Sequence, residues 1–381
     1  MEGRVQIDRF AVKNFRSIKE CDVELAPLTV FIGPNASGKT SFVDALLFLA
    51  TGLREPLQKA LSQRGGAEGI LRQPVARPGV VGFDLHLSSS GGFSAEFQLD
   101  LRISDRWTVS IQREMCRINE PDGVSHYYLV EEGSVSGSAP VFPPASADRI
   151  FLTNASGLPQ FRSLYDFLAG LEYVEPSTPG MRQALEALRR FDSSSDAGRS
   201  MAARFRDLGR NHLERFEIVQ QYLRSISPRF DRIDVEVLAA RQLLLRFVER
   251  SESGVPEPFY LWQASAGLVS SSEILLSLFE PSISGGPASP VIIEEPEALL
   301  HPGAIQVMRD AFVEASRSRQ VLVTTHSPDL LDDPSIPAEW IRSVRRDEEG
   351  THIDSLDAAT KSVIRDHLFT PGQLLRQGAL V

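Results

Sequence analysis

A chain of 381 residues, 42% of them hydrophobic, is long enough to bury a sizeable core, either as one large α/β unit or as two lobes. Its formal charge of −10 excludes a surface that is basic all round, and its two cysteines, Cys21 and Cys116, exclude both a disulfide framework and a Cys-x-x-Cys zinc site. Residues 1–7 lack a long apolar run and no segment approaches membrane-spanning length, so a cytoplasmic protein without membrane contact is expected.

In chain order, residues 5–12 and 23–31 read as strands. The second ends in Leu28-Thr29-Val30-Phe31-Ile32, a short run of β-branched and aromatic residues, and is followed by Gly33-Pro34-Asn35-Ala36-Ser37-Gly38-Lys39-Thr40. Residues 41–49 then carry apolar side chains at helical spacing. A complete G-x-x-x-x-G-K-[ST] string in a strand, loop, helix context is a phosphate loop. Its backbone N–H groups from Asn35 through Ser41 (Asn35, Ala36, Ser37, Gly38, Lys39, Thr40, Ser41) face an anion, with Lys39 on the β/γ oxygens of ATP and the Thr40 hydroxyl on Mg²⁺.

Residues 81–131 change to period two, with Phe83, Leu85, Leu87, Phe97, Leu99, Leu101, Val109, Ile111, Tyr128 and Val130 alternating with polar neighbours. Gly91-Gly92 and Pro121-Asp122-Gly123 supply the turns, which predicts an antiparallel meander. Residues 133–147, rich in Ser, Pro and Gly, read as a loose connection. From 161 to 226 apolar residues recur at helical spacing, broken near 193–198, which predicts a helical lobe. Between Arg182 and Arg232 stand 11 arginines against 7 carboxylates, a local excess of positive charge on an acidic chain. That stretch reads either as a solvated helical face with interleaved ion pairs or as a surface that follows the phosphates of DNA.

Residues 233–237 and 243–248 read as a hairpin and 270–278 as a helix, just behind Ala264-Ser265-Ala266-Gly267-Leu268. The apolar strand Val291-Ile292-Ile293 ends in Glu294-Glu295-Pro296, and a helix over 303–316 leads to a strand over 321–325 that delivers His326. Two adjacent carboxylates at the end of a buried strand suit one group in the Mg²⁺ shell and one that orients or deprotonates an attacking water. By itself such a pair is also what a helix N-terminus prefers, and a lone histidine after a strand is often a structural cap.

Phe15-Arg16-Ser17-Ile18, the phosphate loop, Ser265-x-Gly267, Glu294-Glu295-Pro296-Glu297 with Leu300-His301-Pro302, and Thr325-His326-Ser327-Pro328 together resemble the ABC-class P-loop ATPase heads of the RecF, SMC and OLD relatives, most of all the stand-alone bacterial ATPases of that clan. The likeness also takes in residues 158–168 and 371–378 and so runs over nearly the whole chain. It implies an α/β fold: an ABC-type ATPase head with a P-loop α/β core, an antiparallel β subdomain and an inserted helical lobe. The expected divisions are 1–150, with phosphate loop and meander; 151–285, with lobe, hairpin and signature; and 286–381, with the carboxylates and His326.

The resemblance further implies that Glu294 fills the metal-binding position usually held by Asp, that Glu295 is the catalytic base and His326 the switch histidine. Ser265 and Gly267 would reach the γ-phosphate of a partner subunit, and Arg16 would lie near the nucleotide. It departs from the pattern at Ala266 and at Ser270-Ser271-Ser272, and the glutamine that joins the metal site to the lobe has only Gln160 as a candidate. A homodimer closed by ATP is expected. The 55 residues after His326 are too few for the TOPRIM nuclease of OLD relatives, so any nuclease would be a separately encoded partner. The implied work is on nucleic acid, in DNA repair or defence against phage. A slow ATPase acting as a nucleotide-gated clamp for a protein partner is the alternative. No coupling helix points to a transporter subunit, and the interval between phosphate loop and signature is too short for long SMC arms.

Overall fold

A computed structural model describes residues 4–74, 78–176, 196–237, 243–282 and 286–380. Among these, β1 (Val5–Phe15), β2 (Ile18–Glu24) and β3 (Leu28–Ile32) lead into α1 (Lys39–Arg54), followed by the short helices α2 (Leu57–Ser62) and α3 (Gly66–Ile70). The expected meander follows as β4 (Gly79–Ser89), β5 (Ser94–Ile103), β6 (Val109–Asn119) and β7 (Ser125–Glu131). The stretch expected to be loose contributes a further strand, β8 (Ser134–Gly137). With β1 and β2 these form one antiparallel sheet in the order β2-β1-β4-β5-β6-β7-β8.

The next elements are α4 (Phe151–Ala155), α5 (Pro159–Ala169), β9 (Glu172–Val174), α6 (Asp196–Asn211) and α7 (Leu213–Ile226). The reading of 161–226 as a helical lobe broken only near 193–198 is therefore corrected at β9, a three-residue strand too short to interrupt an apolar periodicity. Residues 193–195 of the expected break, and Arg182, Arg189 and Arg190, lie outside the described residues, and Gly198 falls within α6. The expected hairpin is three-stranded: β10 (Phe230–Val237), β11 (Leu243–Arg250) and β12 (Pro256–Tyr260). Then come α8 (Ala266–Phe279), β13 (Val291–Glu294), α9 (Pro302–Ala315), β14 (Val321–Thr325), β15 (Ile341–Asp347), β16 (Gly350–Ser355), α10 (Ala358–Arg365) and α11 (Pro371–Arg376).

A second sheet, in the order β16-β15-β3-β14-β13-β9, is parallel from β15 to β9, with β16 antiparallel at one edge. Its central strands are apolar at nearly every position because both faces are covered. Alternate residues serve different cores: Phe31, Ile292 and Leu322 join the large antiparallel sheet and α1, whereas Val30, Ile32, Val291, Ile293, Val321 and Val323 join α6 to α9. Helix α1 is thus held between two sheets. Its Phe42 ring lies 5.3 Å from Phe10 and 5.1 Å from Phe31, and its Phe48 ring lies 5.6 Å from Phe83. Truncating such a buried aromatic costs about 3–5 kcal/mol, so the helix that opens with Lys39 and Thr40 is a rigid platform.

Candidate functional site

In a parallel sheet the loops at the carboxyl ends of the strands gather in one crevice. Here β3, β13 and β14 are neighbours, so residues 33–40, Glu294-Glu295 and His326 leave the sheet at the same edge.

The loop between β3 and α1 follows its own backbone demands. Ala36 and Gly38 have φ of 63° and 110°, the left-handed region, and Gly38 caps α1 from that conformation. A Cβ on Gly38 would sit 2.1 Å from Thr351 Oγ1, and one on Gly33 2.2 Å from the carbonyl oxygen of Val344. Gly33 is required by close approach, and Gly38 by close approach and by its left-handed turn. Asn35 and Ala36 are exposed at the tip, while Ser37 is buried with an Oγ that has no hydrogen-bond partner. Ser41 Oγ accepts from Ser17 Oγ at 2.8 Å, and Thr351 Oγ1 lies 2.8 Å from the same Ser17 hydroxyl and 3.1 Å from the Ser37 carbonyl, so β16 and the β1–β2 turn brace the loop from below.

Lys39 is buried and folds back across the loop, its Nζ donating to the carbonyls of Gly33 at 2.7 Å and Pro34 at 3.0 Å. Burial lowers its pKa, against the opposing charges of Glu295, Glu294 and Glu297. Thr40 Oγ1 donates to Glu294 Oε1, bringing together the two oxygens expected to share a metal ion. Glu294 Oε2 accepts from the Tyr173 hydroxyl at 2.7 Å. Burial raises the Glu294 pKa, while the hydrogen bonds from Thr40 and Tyr173 oppose the rise.

Glu295 follows with φ of 46°, a conformation rarely adopted by a residue with a side chain. Its N–H donates to the Thr324 carbonyl at 3.0 Å, so the chain turns sharply while still attached to β14. His326 Nδ1 lies 3.7 Å from Glu295 Oε1 and 3.5 Å from Glu297 Oε1. Glu297 also accepts from Thr325 Oγ1 at 2.6 Å and from the His326 N–H at 3.1 Å, while its second oxygen is buried without a partner. The Pro328–Leu331 turn that follows is clamped by α11: Arg376 binds Asp329 at 2.6 Å and Asp332 at 2.8 Å.

Lys39, Thr40, Glu294, Glu295 and His326 are therefore brought together. Arg16 precedes Ser17, whose hydroxyl bonds Ser41 at the start of α1. The Arg16 guanidinium pairs with Asp44 on α1 at 3.0 Å, an aspartate it shares with Arg64. Ser265 and Gly267 line a different cleft of the same chain. The Ser265 hydroxyl caps α8 by accepting from Leu268 N at 3.2 Å, a Cβ on Gly267 would lie 2.9 Å from the Leu299 carbonyl, and the cleft they line includes Leu300 and His301 but no residue of the phosphate loop. Gln160 lies in the first turn of α5, and Glu294 takes its side-chain bonds from Thr40 and Tyr173. Sequence reasoning missed Tyr173, Thr351 and the part played by Glu297. Only Glu297 had a signal, its place in the acidic string.

The residues fit a nucleotide and its metal. Gly33 and Gly38 let the loop pack tightly against Val344 and Thr351, a buried hydroxyl at Ser37 lacks a partner, and a hydroxyl and a carboxylate suited to Mg²⁺ already meet.

The family described as "AAA domain, putative AbiEii toxin, Type IV TA system" matches residues 28–332. An OLD nuclease of Thermus scotoductus is 23% identical over 369 residues, covering 90% of this chain and 62% of that protein. A RecF DNA replication and repair protein of Lactobacillus acidophilus is 47% identical over 45 residues, 12% of each chain. The chain thus spans less than two thirds of these relatives' own length. A solved SMC head bound to the C-terminal winged-helix domain of ScpA shares the fold, with a TM-score of 0.54, 16% identity, and 93% of this chain and 99% of that one covered. Among the described residues no helix is long and apolar enough to cross a membrane. With its phosphate loop, paired carboxylates and histidine on one sheet edge, the chain belongs to this AAA-domain family and is an ABC-class P-loop ATPase of the RecF, SMC and OLD clan.

Proposed function

We propose that the protein binds and hydrolyses ATP between two copies of itself and uses the closed dimer to gate a transaction on nucleic acid. The observation that carries the reading is the meeting of Thr40 with Glu294 beside Glu295 and His326, at the mouth of a phosphate loop. The backbone of residues 35–41 would receive the phosphates, with Lys39 exchanging its hold on the Gly33 and Pro34 carbonyls for the β/γ oxygens. Thr40 and Glu294 would hold Mg²⁺, which supplies charge neutralisation on the phosphate oxygens. Glu295 would take the proton of the attacking water. His326 stands beside that carboxylate, 3.7 Å away, while Glu297 fixes the histidine's backbone.

Ser265 and Gly267 lie outside the cradle of their own chain, which supports a site completed by a partner's α8. ATP held between subunits favours the closed dimer, and hydrolysis removes that preference. The relatives' names, an OLD nuclease and a RecF DNA replication and repair protein, support a nucleic-acid role, and within it the finer reading proposed is repair or antiviral defence with a nuclease as effector. The test is a pair of variants. Lys39→Ala should abolish ATP binding, whereas Glu295→Gln should retain binding and lose at least about a hundredfold in turnover. Wild-type turnover in Glu295→Gln would remove the base assignment, and a wild type that binds ATP without turnover would leave a nucleotide-gated clamp.

A further inference from the structure

The strand β9 has no counterpart in the sequence reading, yet it supplies the second of two hydroxyls on Glu294. The Tyr173 hydroxyl donates to Glu294 Oε2 at 2.7 Å and stands 2.7 Å from Glu175 Oε2 as well. Thr40 occupies the other oxygen, Oε1. Glu294 is 5% exposed, so its carboxylate plane is set by these two donors and not by water. If Thr40 and Oε1 face a cation, Tyr173 is the group that fixes the carboxylate from behind.

The position of Tyr173 is itself fixed. β9 runs parallel to β13 with Val174 beside Ile293, and its first residue, Glu172, donates its N–H to the Pro290 carbonyl at 3.0 Å. The Glu172 carboxylate is held by Arg204 of α6 at 3.0 Å and by the buried Arg319 at 3.3 Å. Arg319 in turn donates to the carbonyls of Ser277 and Ser289. The strand cannot slide along β13 without breaking these bonds.

We propose that Tyr173 is a positioning residue for divalent-cation binding: its hydroxyl orients Glu294 so that the carboxylate presents Oε1, next to Thr40, to the ion that accompanies ATP. This rests on the reading of Thr40 and Glu294 as the metal-binding pair. A group that orients a metal ligand typically changes metal affinity 10- to 100-fold when removed (roughly, across metalloproteins). The phenol has one proton for two carboxylate oxygens, so it donates to Glu294 or to Glu175 at any one time.

The experiment is Tyr173→Phe, which removes the hydroxyl and keeps the ring. Mn²⁺ binding is followed by electron paramagnetic resonance in the presence of a non-hydrolysable ATP analogue, alongside wild type and Glu294→Gln. Analogue binding without divalent ion is measured separately. The expected result is a Mn²⁺ dissociation constant raised about tenfold or more in Tyr173→Phe, with metal-free nucleotide affinity unchanged. A Mn²⁺ affinity within about twofold of wild type in Tyr173→Phe, with a large loss in Glu294→Gln, overturns the role of Tyr173 alone. Unchanged Mn²⁺ affinity in both variants overturns the metal-binding pair and the proposal with it. Equal weakening of Mn²⁺ and metal-free nucleotide binding in Tyr173→Phe also overturns it, because a collapsed site and not a misdirected carboxylate would be the cause.

Discussion

Glu114 on β6 is fully buried, and three donors converge on it: the Tyr128 hydroxyl at 2.7 Å and Leu152 N at 2.8 Å on Oε1, and Phe151 N at 2.6 Å on Oε2. It thereby ties the antiparallel sheet to the start of α4. Burial pushes its pKa up from 4.5 to about 7, the three hydrogen bonds pulling the other way. A carboxyl with a higher pKa folded than unfolded binds more protons in the folded state between those two values. Stability therefore falls as pH rises from 4.5 to about 7 and levels off above. A gap of that size corresponds to about 3 kcal/mol, of which roughly 2–3 kcal/mol is lost between about pH 5 and about pH 8. Glu114→Gln abolishes the titration. The amide also turns an N–H toward a backbone N–H, which costs about 1–3 kcal/mol at every pH and cancels when each protein is compared with itself. Urea unfolding of both proteins at the two pH values gives the difference, and wild type should lose about 2–3 kcal/mol more than the variant on going to the higher pH. Equal pH dependence in the two proteins would refute the reasoning, because no other group differs between them.

Two further outcomes follow from the arrangement of the site. If Ser265 completes a partner's site, specific ATPase activity should rise with protein concentration before levelling, and Ser265→Arg should lower the activity of wild type when the two are mixed; constant specific activity down to monomeric concentrations opposes a shared site. If the lobe follows a phosphate backbone, Glu295→Gln protein should shift duplex DNA only with ATP, and reversing Arg206 and Arg210 to Glu should weaken binding and flatten its salt dependence by about one unit per lost phosphate contact. A shift indifferent to that reversal leaves this face to a protein partner or to solvent.

The phosphate loop, the paired carboxylates and His326 were legible because their chemistry dictates residue identity at fixed spacing. Gly33 and Gly38 admit no Cβ, and Glu294 and Glu295 stand at the end of a buried strand. The two-sided core was legible in part. A run such as Leu28-Thr29-Val30-Phe31-Ile32 shows that a strand is covered on both faces, but not that Phe31 and Val30 serve different cores. β9 was not legible, since Glu-Tyr-Val has no period to detect, and Tyr173 meets Glu294 across 121 positions through a pairing that only the assembled sheet creates.

The arginines of the lobe show the same limit from the other side. Counting charges between Arg182 and Arg232 treats Arg204 as one of a set available to a polyanion, with Asp207, Glu214 and Glu217 as its local competitors. In the fold its partners are Glu280 at 2.6 Å and Glu172 at 3.0 Å, neither in its own helix. Arg224 takes Glu217 at 2.7 Å, and Arg215 reaches the Phe279 carbonyl at 3.3 Å. A side chain held by two carboxylates has little to gain from a phosphate, because each new contact would displace an existing one. Arg206 and Arg210 make no ion pair among the described residues, so they carry the DNA test while Arg204 belongs to the anchorage of β9. Reversing Arg204 would set a new carboxylate against Glu172 and Glu280, disturbing the strand that holds Tyr173 on Glu294. A loss of ATPase activity in that variant would report on the metal site and say nothing about nucleic acid.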